Sequence, residues 1–270
     1  MSNPTQLYID QLPDNTTCID ISNKGLLVCP DLSRFKNLQE LRCNNNLLTY
    51  LPRLNDGLKN LFCDRNQLTF LPELNDSLQG LYCCSNQLES LPKLNKNLKE
   101  LYCAFNHLTY LPELNDSLQI LYCSYNQLTY LPALVPINGG LKKLYCCSNQ
   151  FNMLPNLIDS LQELDCSLNQ MTHLPELNKK LEYLKCNGNP FILLNSDDTL
   201  CEIRQKMQTL TRFKHLYFSL KFKNPFKRWL WELVREPKIA LKFHPSYLAE
   251  HLVDGVELDD VLEEWIGNDE

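Results

Sequence analysis

The 270-residue sequence predicts an α/β-type repeat solenoid, in which short parallel strands stack into one sheet. Two observations predict this fold class. From Leu38 onward the same pattern of apolar residues returns with a period of 20 residues, and one asparagine returns at a fixed place in every unit. A period of this length indicates an architecture in which each unit buries its apolar side only against its neighbours.

The repeat units can be read directly from the sequence. The unit from Leu38 reads LQELRCNNNLLTYLPRLNDG, and the next reads LKNLFCDRNQLTFLPELNDS. Further units begin at Leu78, Leu98, Leu118, Leu141, Leu161 and Leu181. The unit from Leu118 is three residues longer, with its insertion near residues 135–140. The shared template, L-x-x-L-x-C-x-x-N-x-L-x-x-L-P-x-L, is that of a leucine-rich repeat.

A degenerate unit of 22 residues precedes these repeats, at residues 16–37. Five of its residues stand where the template has leucine, cysteine or proline: Ile19, Ile21, Leu26, Pro30 and Leu32. With this unit we expect nine strands, stacked about 4.8 Å apart.

The template also predicts which side chains face inward. Leu41 and Cys43 are two residues apart, so they point to the same side of a short strand and into the core. About a dozen residues remain for the return path, too few for a full helix. The L-P-x-L step predicts an extended, polyproline-like convex side, because proline fixes its own φ and disfavours helix before it. The parallel strands then form the concave face.

The template asparagine is predicted to be structural. A buried asparagine at the end of each strand can bond the backbone of its own turn and of the adjacent coil, and buried polar groups need such partners. The row comprises Asn46, Asn66, Asn86, Asn106, Asn126, Asn149, Asn169 and Asn189.

Thirteen cysteines are the most unusual feature of the composition. Eight occupy one template place, namely Cys43, Cys63, Cys83, Cys103, Cys123, Cys146, Cys166 and Cys186. Free cysteine packs as a small hydrophobe. Side chains at one place of parallel strands run alongside one another rather than converge, so we expect reduced thiols, no disulfides and no metal site.

Aromatic residues recur on the predicted concave face. The place that follows the strand leucine carries five consecutive aromatic residues, and a second row adds two more. Such rings form an amphipathic platform, and aromatic residues are enriched at protein-binding hot spots. The alternative is a purely structural ladder of rings on neighbouring strands, and one set of residues can serve both roles. The candidate partner-binding residues are Phe62, Tyr82, Tyr102, Phe105, Tyr122, Tyr125 and Tyr145.

The repeats end near Leu194, and residues 195–270 carry helix signals. Ser196 to Thr199 predict a cap for a helix from about residue 197 to residue 220, and Asn224-Pro225 predicts the start of another. We expect this helical C-terminal segment to cap the apolar end of the stack.

Charge is segregated within the C-terminal segment. Residues 204–242 carry 11 Lys and Arg against 2 Glu, whereas residues 243–270 carry 9 Asp and Glu and no Lys or Arg. Basic residues among aromatic ones suit RNA or anionic lipid. The simpler interpretation is that the acidic tail neutralises the basic helices while the aromatic residues pack.

The remaining features argue against several function classes. A net charge of −6 argues against a whole-surface nucleic-acid binder, so nucleic acid is not the expected partner. The sequence has no apolar run long enough for a transmembrane span and no signal-peptide pattern at residues 1–20. It also lacks nucleotide-binding, zinc-protease and hydrolase motifs. We therefore expect no enzymatic activity and no cofactor, and the predicted location is cytoplasmic.

The repeats resemble two groups of known leucine-rich repeats. They are similar to the short repeats of secreted effectors from enteric bacterial pathogens. They look even more like the L-x-C-x-x-N-x-L repeats of giant DNA viruses of the mimivirus group, and the tail VREPKIALKFHPSYLAEHL also resembles giant-virus proteins. The viral resemblance implies a protein made in the host cytoplasm. Some bacterial relatives add a ubiquitin-ligase domain with a catalytic C-x-D motif. In this sequence Cys201 is followed by Glu202 and Ile203, so the motif is absent there and the ligase activity is not carried over.

These observations predict three regions and one function. The regions are an N-terminal lead-in at 1–15, the leucine-rich repeat solenoid at 16–194 and the helical C-terminal segment at 195–270. The predicted function is binding of a host or viral protein on the concave aromatic face. The alternatives are an adaptor or ligase in ubiquitination, and nucleic-acid or membrane-surface binding through residues 204–242. The oligomeric state stays open.

Overall fold

The computed structural model describes residues 4–134, 140–191, 194–195, 198–209, 212 and 223. The chain divides into two compact units, Met1–Lys206 and Met207–Glu270. The first unit contains the repeats. In the second, only residues 207–209, 212 and 223 are described, so the predicted helices beyond residue 223 and most of the basic segment lie outside the described residues.

Within the described residues, nine three-residue strands form one sheet in sequence order. They are β1 (Cys18–Asp20), β2 (Glu40–Arg42), β3 (Asn60–Phe62), β4 (Gly80–Tyr82), β5 (Glu100–Tyr102), β6 (Ile120–Tyr122), β7 (Lys143–Tyr145), β8 (Glu163–Asp165) and β9 (Tyr183–Lys185). A helix, α1 (Pro4–Gln11), precedes them. All neighbouring strands pair in parallel, which confirms the predicted repeat solenoid.

The register follows the template from coil to coil. Leu41 pairs with Leu61, and Ile19 of the degenerate first unit pairs with Leu41, as its sequence predicts. The three-residue insertion leaves the register intact, since Leu121 pairs with Leu144 across it. Equivalent side chains therefore stack in straight rows along the sheet.

The core is a set of such rows. The middle strand residue is buried in every strand from β1 to β8, and the template cysteine is buried in each of its eight units. On the return path, Leu48, Leu51 and Leu54 are also buried, in a segment that is neither helix nor strand. Burying a leucine side chain contributes about 1.5–3 kcal/mol. The inward set and the extended return path are as predicted.

The eight template cysteines behave as core residues. All thirteen cysteines are free, and burial raises the pKa of thiols such as Cys63 well above the ordinary value. The thiol of Cys43 lies 3.3 Å from the carbonyl oxygen of Phe62, on the next coil. The described residues contain no group of three or more histidine, cysteine, aspartate or glutamate side chains arranged to hold a metal ion.

The template asparagines bond the backbone of two coils, as predicted. The side-chain amide of Asn66 donates to the carbonyl oxygens of Cys43 and Cys63, at 3.0 and 3.1 Å. Its oxygen accepts from the backbone amide of Leu48, at 3.0 Å. The same bridging pattern runs through the row from Asn86 to Asn189. Each side chain thus ties a coil to the preceding one.

A second asparagine ladder, which the sequence analysis did not single out, lies on the return path. The side chain of Asn75 donates to the carbonyl oxygen of Asn55, and that of Asn95 donates to the carbonyl oxygen of Asn75, both at 2.7 Å. Asn178 repeats the pattern toward Ile158. The signal was present as the asparagine that follows L-P-x-L in most units.

The first coil is joined to a helix that the sequence analysis treated as part of a lead-in. Ile9 of α1 is fully buried. The guanidinium of Arg34 donates to the carbonyl oxygens of Ile9 and Leu12, at 2.6 and 2.9 Å, and so satisfies groups near the end of α1.

A second helix begins at residue 200 and runs through residue 209, later than predicted. Its first turn is closed by a capping box, because the backbone amide of Thr199 donates to Glu202 at 2.7 Å and that of Glu202 donates to the Thr199 hydroxyl. Thr199, the last residue of the predicted cap segment, is therefore the cap. Ile203 is buried, and Arg204 donates to the carbonyl oxygens of Asn178 and Leu181.

Candidate functional site

The candidate site lies on the outward side of the sheet, here called the strand face. It is formed by the first and third residues of each strand, because the middle residue points into the core. At the third position the strands from β2 to β9 present Arg42, Phe62, Tyr82, Tyr102, Tyr122, Tyr145, Asp165 and Lys185. Five of the seven predicted partner-binding residues therefore lie in one row.

These five residues form a continuous stack of rings, here called the five-ring stack. The successive centroid distances, from Phe62 to Tyr145, are 4.3, 4.9, 5.1 and 4.0 Å, and the rings are within 22° of parallel. All five residues are half-buried. The inner rings cover each other's faces, so the stack exposes ring edges and tyrosine hydroxyl groups.

The two ends of the five-ring stack differ. The guanidinium of Arg42 lies 5.4 Å from the centroid of Phe62, and Glu40 holds that guanidinium at 2.7 Å. Beyond Tyr145, Asp165 is buried and accepts hydrogen bonds from the backbone amide and hydroxyl of Ser167. A cation thus covers one end, and a short carboxylate motif follows the other.

Two carboxylates of the first strand position hold tyrosine hydroxyls. The hydroxyl of Tyr82 donates to Glu100 at 2.6 Å, and burial together with this hydrogen bond raises the pKa of Tyr82. The hydroxyl of Tyr145 donates to Glu163, which also pairs with Lys143 at 2.9 Å. Both partners lower the pKa of Glu163. The rings are therefore oriented by charged neighbours as well as by stacking.

Gly80 makes room for one of these rings. A Cβ atom at this position would lie 2.7 Å from Oδ1 of Asn60 and 2.9 Å from Cε2 of Tyr82. Real Cβ atoms do not approach so closely, so the ring of Tyr82 occupies space that a side chain at Gly80 would fill. The sequence signal was a glycine at a place where other strands have larger residues.

The other two predicted residues, Phe105 and Tyr125, form a separate stacked pair. Their centroids are 4.2 Å apart and their planes differ by 9°. Phe105 is 53% exposed and Tyr125 is 46% exposed. The structure therefore divides the seven candidates into a half-buried stack and an exposed pair.

The exposed pair stands on an unusual backbone. Both residues have a φ of 55°, in the left-handed region that side chains other than glycine and asparagine adopt at a cost. The same place is left-handed in each unit, where it is occupied by Asn23, Asn45, Arg65, Ser85, Ser148, Leu168 and Gly188. The sequence did carry a signal for this conformation, because Asn23, Asn45 and Gly188 at this place are of types that favour it, but the larger residues in the other units obscured the signal.

Another exposed apolar row was missed as well. It lies just before the L-P step of the template, well away from the strands in sequence, and its members are 43–59% exposed: Tyr50, Phe70, Tyr110, Tyr130 and Met153. The signal was the recurring L-T-[YF]-L-P motif.

Three solved bacterial structures show the same architecture. YopM from Yersinia enterocolitica WA-314 is 34% identical, with a TM-score of 0.55, over 66% of this chain and 43% of its own. YopM from Yersinia pestis, described as a leucine-rich effector protein, is 34% identical, with a TM-score of 0.59, over 64% of this chain and 49% of its own. A leucine-rich repeat protein from Leptospira interrogans is 28% identical, with a TM-score of 0.54, over 65% of this chain and 56% of its own. The chain has a leucine-rich repeat fold.

The chain spans less than half the length of the two Yersinia chains. No protein-family model matches it, and no curated protein does. The resemblance to bacterial effector repeats is confirmed by these neighbours, whereas the resemblance to giant-virus repeats stays a prediction. Among the described residues, no helix is long and apolar enough to cross a membrane.

Proposed function

We propose that this protein is a non-enzymatic protein-binding module whose partner docks on the strand face and on the Phe105–Tyr125 pair that follows β5 and β6. The observation that carries the proposal is the exposed Phe105–Tyr125 pair. Two large rings stand half in solvent on a backbone conformation that disfavours them. The repeat geometry does not require rings there, since the same place holds asparagine, arginine, serine, leucine or glycine in the other units.

The energetics favour a binding role for the pair. A left-handed conformation costs an ordinary residue roughly 1–2 kcal/mol. Burying about 100 Å² of each ring under a partner would contribute about 2.5 kcal/mol per ring at 25 cal/mol per Å². Free in solution, the pair recovers only part of its cost, through ring stacking. When a partner buries the two rings, the free energy of burial exceeds the cost of the left-handed conformation.

The five-ring stack has a supporting role in this proposal. Its rings are half-buried and held by Glu100 and Glu163, so their removal would disturb the sheet as well as any contact. A partner would contact ring edges and hydroxyl groups there, next to the exposed pair. Such a combination of fixed polar groups around exposed aromatic anchors is typical of protein-binding hot spots.

The comparisons support the class of function but name no partner. Leucine-rich repeat folds generally serve as protein-interaction modules, and stacked repeats provide extended binding surfaces. One Yersinia neighbour is described as an effector protein. By analogy, and in line with the viral resemblance, we propose a cytoplasmic protein that binds a host or viral protein.

The proposal is tested by capture of proteins from host-cell extract with purified wild type and with the double variant Phe105→Ser/Tyr125→Ser. Serine occupies the same place in two neighbouring units, so the variant keeps the fold. The control is Tyr110→Ser/Tyr130→Ser, which removes a similar exposed ring area from the other apolar row. We expect the first variant to lose the captured partner and the control to keep it. Equal capture by all three proteins would refute the proposal.

No observation among the described residues favours either of the two alternatives, ubiquitin transfer or nucleic-acid and membrane binding. Cys201, the residue considered for ubiquitin transfer, lies exposed in the first turn of the helix that begins at residue 200. Residues 204–242, considered for RNA or lipid binding, lie mostly outside the described residues. Both stay predictions, to be tested by a transfer assay with Cys201→Ala and by the salt dependence of binding.

A further inference from the structure

The Phe105–Tyr125 pair belongs to a row of equivalent residues that the sheet holds in register. On consecutive coils the row reads Arg65, Ser85, Phe105, Tyr125, Ser148 and Leu168. Backbone hydrogen bonds of 2.8–3.0 Å run from Arg65, Ser85, Phe105, Tyr125 and Ser148 to the following coil. The side chains therefore follow one another at the spacing of adjacent strands, about 4.8 Å.

The pair is a ring ladder that stops after two rings. Phe105 stacks on Tyr125 through one face, and the next residue on its other side is Ser85. Beyond Tyr125 the next residue is Ser148. A serine has no ring to place against its neighbour, so the outer face of each ring is left without a stacking partner from this row. The five-ring stack, by contrast, continues across every coil from β3 to β7.

Each interruption leaves a space of about one ring thickness. Arg65 and Phe105 are two coils apart, about 10 Å at the strand spacing, and only Ser85 stands between them. Beyond Tyr125, the space above Ser148 is open toward the next coil, because the side chain of Leu168 lies over Gly188. We call these spaces the Ser85 slot and the Ser148 slot. The strand face itself shows that a ring face at the end of a ladder takes a planar group, because the Arg42 guanidinium lies over Phe62.

We infer that each slot receives one aromatic side chain from the bound partner, so that partner and protein form one mixed ring ladder. This inference rests on the proposed function and names the part of the partner that is recognised. In the Ser85 slot the incoming ring would stack on Phe105 and face the cation of Arg65, which favours a ring over a second guanidinium. In the Ser148 slot it would stack on the outer face of Tyr125, with the exposed, apolar Leu168 on the next coil.

The spacing of the slots sets the spacing of the partner's rings. Ser85 follows β4 and Ser148 follows β7, so the slots are three strand steps apart, about 14 Å. In an extended segment, side chains on one side recur every second residue, and residues i and i+4 are about 13 Å apart. The recognised segment is therefore extended, runs across the strands, and carries aromatic residues at i and i+4.

The test uses a phage-displayed library of random dodecapeptides, selected on the wild-type protein. We expect the enriched peptides to carry Phe, Tyr or Trp at i and i+4. They should bind the slot-filling variants Ser85→Phe and Ser148→Phe about tenfold more weakly, the loss of one stacked and buried ring. The matched controls are Ser85→Asn and Ser148→Asn, which leave the slots open and should bind as wild type does.

All four variants suit the left-handed backbone, since the protein itself carries Phe105 and Asn45 at this place. Circular dichroism checks that each is folded. The inference is overturned if no peptide is enriched, if the enriched peptides lack the i, i+4 pair, or if the filled variants bind them as wild type does.

A capture from host-cell extract separates this inference from the proposed function. If Phe105→Ser/Tyr125→Ser loses the partner while the double variant Ser85→Phe/Ser148→Phe keeps it, the strand face binds protein but not through the slots. If both variants keep the partner, the proposed function itself fails. If both lose it and the serine-to-asparagine controls keep it, the slots are part of the interface.

Discussion

At the scale of single residues, the backbone contains one left-handed position in each repeat, just before the ladder asparagine. The asparagine bonds hold this turn in place, since Asn106 bridges the carbonyl oxygens of Cys83 and Cys103 and accepts from the amide of Leu88. Ordinary residues such as Leu168 are thereby kept at a φ of 53°. Each such residue reduces the free energy of unfolding, and residues suited to this conformation can recover it.

We therefore expect Leu168→Asn to stabilise the protein by about 1 kcal/mol, because asparagine tolerates the left-handed conformation. Leu168 is 52% exposed, so little apolar burial is lost. Leu168→Ala is the control, since alanine removes the same side chain but keeps the left-handed cost. Urea unfolding followed by circular dichroism measures both. Equal midpoints for the two variants would show that the conformation contributes nothing.

The sequence predicts some of these single-residue features and not others. The inward leucines, the template cysteines and the asparagine row were all predicted, because burial and hydrogen-bond demand follow from the period alone. The left-handed position was not, because its occupants include Arg65, Phe105 and Leu168, which carry no conformational signal. Phe105 and Tyr125 were predicted as a second, exposed aromatic row, but their greater exposure compared with the five-ring stack depends on this backbone position.

At the scale of elements, the strand face depends on small residues as much as on rings. We expect Gly80→Ala to displace the ring of Tyr82, because the added Cβ would clash with it and with Asn60. Overpacking of this kind costs about 1–3 kcal/mol. The near-ultraviolet circular dichroism of the stacked tyrosines should weaken and the urea midpoint should fall.

Gly57→Ala is the matched control for this change. A Cβ at Gly57 would lie 3.6 Å from its nearest neighbours, an ordinary contact, and the position is not left-handed. We expect this variant to be as stable as wild type or slightly more stable, because alanine restricts the unfolded chain. If both glycine variants behaved alike, Gly80 would have no special role in placing Tyr82.

The carboxylates that orient the rings predict a pH dependence. Hydrogen bonds from Tyr145 and Lys143 lower the pKa of Glu163 below its ordinary value of 4.5. A lowered pKa in the folded state means that ionised Glu163 stabilises the fold above pH 4.5, and that this contribution is lost as pH falls through the folded-state pKa. Glu163→Gln should therefore unfold at a lower temperature than wild type at pH 7.

The difference between the two melting temperatures should shrink as the pH is lowered below 4.5. Thermal unfolding of both proteins from pH 7 to pH 3 measures it. Glu182→Gln is the control, because Glu182 is an exposed residue one coil away. A constant difference between wild type and Glu163→Gln at all pH values would mean that the charge of Glu163 does not act through these hydrogen bonds.

At the scale of the whole molecule, the first unit is a one-dimensional stack, and the sequence predicted most of its architecture. Nine strands in order and the C-terminal helix follow from the template and from cap residues. The helix α1 was missed because PTQLYIDQ has little helical periodicity, and its burial depends on tertiary contacts such as Arg34 to Ile9. The Ser85 and Ser148 slots follow neither from the template alone nor from tertiary contacts alone, because they depend on which residue each coil contributes to a row.

A stack of this kind should tolerate the loss of one whole coil. Deletion of residues 78–97 joins Ser77 to Leu98 and keeps the phase of the template. Because each coil contacts only its neighbours, we expect a folded protein whose urea midpoint is lower than that of wild type. Deletion of residues 78–96 is the control, since it leaves Asn97 out of phase ahead of Leu98. If a loop does not accommodate the extra residue, the strand shifts by one position. A shifted strand turns its leucine toward solvent.

The in-phase deletion also acts on both ring ladders at once. It removes Tyr82, which brings Phe62 next to Tyr102, and it removes Ser85, which brings Arg65 next to Phe105. The five-ring stack becomes a four-ring stack, while the Ser85 slot is closed by a cation over the ring of Phe105. We therefore expect the shortened protein to fold but to bind peptides selected on wild type about tenfold more weakly. If it binds them unchanged, recognition does not depend on the rows that the coils build together.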